Sequence, residues 1–223
     1  MTYSIDNGPV FTTLTFQLVE GESVLAESGA MISMSASIDL KAEGSGKGVF
    51  GVLKSAASGE GFFNSRFTAV GAGGEVVLAP SVPGAIIAIP LKGETVSAKS
   101  GSFFAGSVDL NLSVEGSLKG MVSGKGLFLQ KISGQGDVFL NTYGAVVEKT
   151  LTSEEEYIID NGHLVAFDET VNYTFKKSAK GIFSSLASGE GYVCVFKGPG
   201  RVWTQTRNLR SFAGLLSPYI KSN

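Results

Sequence analysis

At 223 residues the chain is long enough for one large β domain or two ordinary ones, and 43% hydrophobic against 17% charged residues calls for a large core or for surface covered by partners. A formal net charge of −2 gives no electrostatic footprint for nucleic acid, and a single cysteine, Cys194, excludes an internal disulfide. Thirty glycines against six prolines fit many short strands joined by tight turns, which is all-β composition.

The N-terminal stretch from Met1 to Pro9 has neither a positive n-region nor an apolar h-region, so no signal peptide is expected and the expected location is cytoplasmic. The first informative element is the segment Gly21-Glu22-Ser23-Val24-Leu25-Ala26-Glu27-Ser28-Gly29. It returns as Gly93-Glu94-Thr95-Val96-Ser97-Ala98-Lys99-Ser100-Gly101 and, worn, as Glu154-Glu155-Glu156-Tyr157-Ile158-Ile159-Asp160-Asn161-Gly162. The closing glycines Gly29, Gly101 and Gly162 are spaced by 72 and 61 positions. A second set, Lys47-Gly48, Lys119-Gly120 and Lys180-Gly181, repeats the same two spacings, which makes chance similarity a poor explanation. A third set, Gly61, Gly126 and Gly191, is spaced 65 and 65, so the length varies between the second and third sets, as it does at a loop or hairpin tip.

Between these glycines the pattern alternates with period two. Val108, Leu110, Leu112 and Val114 would share one face of a half-buried antiparallel strand, and equivalent strands are expected from Ile32 to Glu43 and from Leu164 to Phe175. The sequence therefore predicts three sequential β-meander, barrel-like repeats, at about 5–81, 82–142 and 143–207, packed as a single body over 1–223. Leu209, Phe212, Leu216 and Tyr219 fall at helical spacing and predict a short amphipathic helix on the body within the tail 208–223, with Pro218 limiting its last turn. Val76 to Leu91, the least charged long stretch, carries Pro80, Pro83 and Pro90 and is too short for a transmembrane helix, so no transmembrane segment is expected.

Chemistry is sparse. The one histidine, His163, reads as a turn or strand-edge residue, no metal site is expected, and no Ser-centred nucleophile elbow exists. Gly46 to Gly51 matches G-x-G-x-x-G formally, without the strand and helix that a dinucleotide site needs. Cys194 sits in the apolar run Tyr192 to Phe196 and reads as a buried thiol. No cofactor and no catalytic residue is expected, and the chain reads as a non-enzyme.

Two features point to interaction. The aligned lysines Lys47, Lys119 and Lys180, with Arg201 and Arg207, could ring an axis and contact an anion or an RNA backbone, although net charge does not support nucleic acid. The variable tips carry Phe50, Val52 and Leu53 in the first copy and Ile182, Phe183 and Leu186 in the third, apolar residues where polar ones are usual, which either fold back onto their own body or mark a subunit contact, another partner or a membrane surface.

The Lys47-Gly48 turn, Gly59-Glu60-Gly61-Phe62-Phe63, Pro83-Gly84 before an apolar strand, and above all Gly200-Arg201-Val202-Trp203-Thr204-Gln205-Thr206-Arg207 resemble the altered-inheritance-of-mitochondria protein 24 family over roughly Ile5 to Leu209. The resemblance implies a fold similar to the tryptophan RNA-binding attenuation protein, a shortened double-stranded β-helix with repeated units, and a homotrimer forming a ring. It supplies no catalytic residues. The expectation is an intracellular scaffold or interaction protein assembling as a homo-oligomer, with RNA or anion binding and peripheral membrane association as alternatives.

Overall fold

Alternating apolar residues between glycine turns fold most of the described residues into antiparallel β structure. The computed structural model describes residues 1–44, 63–115, 127–177 and 192–220. The first strands are β1 (Thr2–Asp6), β2 (Thr13–Leu18), β3 (Ser23–Glu27), β4 (Met31–Met34), β5 (Ile38–Gly44), β6 (Phe63–Ala69) and β7 (Gly74–Leu78). They are followed by β8 (Ile86–Lys99), β9 (Phe103–Ser107), β10 (Asn111–Glu115) and β11 (Leu129–Asn141). The last are β12 (Val146–Leu151), β13 (Glu156–Asp160), β14 (Leu164–Asp168), β15 (Asn172–Lys177), β16 (Tyr192–Lys197) and β17 (Gly200–Gln205), and α1 (Leu209–Leu216) closes the order with a 3-10 turn at Ser217–Tyr219.

The pairings recur. In the first run β2 pairs with β7, β3 with β6, β4 with β7 and β5 with β6, all antiparallel. In the last run β12 pairs with β17, β13 with β16, β14 with β17 and β15 with β16. The middle run makes the same four ladders with two long strands, because β8 and β11 pass through bends at Gly93 (φ 111°) and Gly134 (φ 118°) where the other runs have turns. A bulge falls at one place in each run: Ile32 in β4, Phe104 in β9 and Val165 in β14 are each passed over in the register. Two ladders join the runs, β3 with β9 and β8 with β14. The result is a four-stranded sheet β1-β2-β7-β4, a ten-stranded sheet running from β12 to β5, and a three-stranded sheet β13-β16-β15.

Each run buries its own apolar cluster. The first holds Leu18, Ala26, Ile38, Phe67 and Val76, the second Leu91, Ala98, Leu110, Ile132 and Val138, the third Leu151, Ile159, Val171, Phe196 and Val202. Burying a valine, leucine, isoleucine or phenylalanine side chain stabilises the fold by about 1.5–3 kcal/mol, which applies to all of these positions except Ala26 and Ala98.

Three expectations change. The strands predicted from Ile32 to Glu43 and from Leu164 to Phe175 are each two strands, and Val108 to Val114 spans a turn and β10. A tight turn interrupts all three at the same place, with Ile38 N donating to Ser35 O, Leu110 N to Ser107 O and Val171 N to Asp168 O. Alternation runs on through so short a turn, so period two alone cannot detect it. Gly29 and Gly101 adopt the left-handed conformation (φ 85° and 84°), whereas Gly162 does not, and a Cβ there would press on the side chain of Asn208 at 1.9 Å unless that side chain moved. Helix α1 forms as its spacing predicts and stops before Pro218, yet none of its residues is buried.

Candidate functional site

Among the described residues, β1 and β4 edge the four-stranded sheet, β5 and β12 the ten-stranded one, and β13 and β15 the three-stranded one. β4 borders the four-stranded sheet and β13 the three-stranded one, each with one neighbour only. The strands at the matching places, β9 and β14, are buried along Phe103 to Gly106 and Leu164 to Phe167, while every residue of β4 is exposed. β3 buries Val24, Leu25 and Ala26, whereas β13 exposes Glu156, Tyr157 and Ile158. Ile32 is 56% and Ile158 62% exposed, and Met31, Met34 and Tyr157 accompany them. An apolar edge strand of this kind is a template for pairing with another chain.

The apolar clusters show the same asymmetry. Phe104, Ala105 and Phe139 of the middle run complete the cluster of the first, and Val165, Ala166 and Trp203 of the last run complete that of the middle. The third cluster takes Leu129 from the middle run but, among the described residues, nothing from a following run.

Of the cations expected to contact an anion, Arg201 and Arg207 are among the described residues. Lys47, Lys119 and Lys180 lie outside the described residues, as do Gly48, Gly120, Gly181, Gly61, Gly126 and Gly191 and the tip residues Phe50, Val52, Leu53, Ile182, Phe183 and Leu186. Arg201, at the start of β17, is held by Asp168 at the end of β14: its Nε and Nη2 donate to the two carboxylate oxygens at 3.0 and 3.1 Å, and its backbone N–H donates to the same carboxylate at 2.8 Å. The hydrogen bond to Asp168 raises the guanidinium pKa further, and the group stacks 4.7 Å from the Trp203 ring, whose Nε1 donates to Glu148 at 2.7 Å. Arg207 is exposed, and its backbone N–H donates to Tyr143 O. His163 sits in the turn before β14, where Nδ1–H donates to Gln205 O at 2.7 Å. Cys194 is fully buried, and desolvation pushes its thiol up to about 11. Among the described residues no three His, Cys, Asp or Glu side chains converge to hold a metal ion. No helix among them is long and apolar enough to cross a membrane.

The family model described as mitochondrial biogenesis AIM24 matches residues 3–207. The chain belongs to the AIM24 family. It is 30% identical to an uncharacterized protein of Streptococcus pyogenes serotype M6, over all of this chain and 92% of that one. It is also similar to the crystal structure of a Streptococcus pyogenes protein at 29% identity and a TM-score of 0.83, over 98% of this chain and 99% of that one. The AIM24 match ends one residue before Asn208, which caps α1 by accepting from the backbone N–H groups of Arg210 and Ser211, so the helix lies outside the matched span.

Sequence reasoning missed β4 and β13 as surfaces. Met31-Ile32 and Ile158-Ile159 break the alternation with paired apolar residues, a local signal that these strands carry apolar side chains on both faces.

Proposed function

We propose that this AIM24-family chain is a non-enzymatic intracellular scaffold whose working form is a homo-oligomer. On this reading residues 5–81, 82–142 and 143–207 are three copies of one β meander, of the double-stranded β-helix type found in the tryptophan RNA-binding attenuation protein. The trimeric ring is the form that the family resemblance implies. One observation carries the proposal: β4 and β13 expose apolar residues at places where the matching strands of the other copies are buried. Two open ends of a three-copy array are covered when molecules associate, which removes both edges from water. Size-exclusion chromatography with light scattering at micromolar concentration tests it. A trimer of the 23.2 kDa chain is expected, and a strict monomer removes the proposal.

Peripheral membrane association is favoured by a different feature. α1 exposes Leu209, Phe212, Leu215 and Leu216 along its length, held to the body through the edge-on contact of Phe212 with Tyr143. Co-sedimentation with anionic liposomes that is lost in Phe212→Ser would support it, and equal recovery of both proteins in the supernatant would remove it.

A further inference from the structure

We infer that β13 of one molecule pairs antiparallel with β4 of the next, with Ile159 opposite Ser33, Ile158 opposite Met34 and Tyr157 opposite Ser35. This rests on the self-assembly reading and specifies its interface. The chain builds the same contact twice within itself. At the first junction Ala26, Leu25 and Val24 of β3 face Ala105, Gly106 and Ser107 of β9. At the second, Ala98, Ser97 and Val96 of β8 face Ala166, Phe167 and Asp168 of β14.

The bulges and the pairing within each run fix which residues correspond. Ala26, Ala98 and Ile159 sit opposite Ser65, Gln130 and Cys194, and Ala105, Ala166 and Ser33 each follow the bulged residue. Carrying the two internal registers to the unused strands leaves one alignment, since a slip of a single residue would turn every side chain to the opposite face.

The bulged residue decides the fit. Phe104 enters the apolar cluster of the run before its own, and Val165 does the same one run later, both without exposed surface. Ile32 holds that place in β4 and is 56% exposed. The cluster around Leu151, Ile159 and Phe196 is the one that receives no residue from a following run. Ile32 of a second copy therefore fills the place there that Phe104 and Val165 fill elsewhere, with Ser33 and Val77 behind it as Ala105 and Phe139 stand behind Phe104.

The contact joins two different surfaces of identical chains, so it propagates head to tail and ends only when a ring closes. β4 carries no charged residue and β13 only the carboxylates Glu156 and Asp160, so no ion pair joins the two strands and the pairing should depend little on salt.

Cross-linking tests the register. In a Cys194→Ala background, the double variant Met34→Cys/Ile158→Cys treated with a short bis-maleimide is expected to give covalent multimers up to the order of the ring on a denaturing gel. Either single variant is expected to stay monomeric on that gel, and peptide mapping should join residue 34 of one chain to residue 158 of another. Ile32→Glu, at a position exposed in the single chain, should keep the β circular-dichroism spectrum while raising the dissociation constant at least tenfold. An oligomer in which the double variant forms no multimers, in which the single variants cross-link equally well, or which survives Ile32→Glu overturns this pairing and leaves self-assembly standing. A wild-type monomer by light scattering overturns both.

Discussion

Asp168 shows how one side chain can fasten three elements. Its carboxylate accepts from the backbone and the guanidinium of Arg201, and the guanidinium covers the Trp203 ring, which is 1% exposed and reaches Glu148 on β12. Asp168→Ala removes the acceptor of a backbone N–H together with the ion pair and should cost about 1–2 kcal/mol in urea denaturation. Arg201→Met keeps most of the cover over Trp203 and loses a half-exposed ion pair, so its cost should stay below about 1 kcal/mol. Cys194 makes a pH prediction. Its folded pKa, about 11, lies above the roughly 8.5 of a free thiol, so the folded state holds the proton longer and stability falls as pH rises through that window. Cys194→Ala should show a shallower loss of stability between about pH 8.5 and 11 than wild type, and native Cys194 should react with a disulfide reagent only at the rate of unfolding.

Among elements, α1 separates local from tertiary information. Its apolar spacing and the limit set by Pro218 were legible in the sequence, and the helix ends at Leu216, whereas its Asn208 cap came to light only in the structure. Its relation to the body was not legible, because an amphipathic pattern records which face is apolar and not what meets it. With no buried residue, the helix contributes little: a chain ending at Asn208 should lose less than about 1 kcal/mol in thermal unfolding. A larger loss would mean that the helix packs on something beyond its contact with Tyr143. The strands divide the same way. Alternation located β5, β10 and β15 but missed the turns at Ser35 to Ile38, Ser107 to Leu110 and Asp168 to Val171, whose residues keep the apolar rhythm. Of the expected anion contacts, Arg201 is engaged by Asp168 and covers Trp203, partners that come from strand pairing that no local pattern encodes.

For the whole molecule, assembly through β4 and β13 couples stability to concentration. Thermal unfolding should shift upward between about 1 and 100 μM protein, since mass action favours the species with covered edges, and an invariant midpoint would count against self-assembly. The sequence by itself determined the all-β class, the family, the positions of the turn glycines Gly29 and Gly101 and the burial of Cys194. The family rests on the resemblance of its motifs, and the others depend on composition, periodicity or a residue's own conformational range. Only the tertiary structure decided that Ile32 is exposed while Phe104 and Val165 are buried, and that Ile158 faces outward while Leu25 and Ser97 face inward. The three stretches are alike in apolar character, so their environments differ only through the neighbour each run has or lacks, and a neighbour is a property of the folded chain.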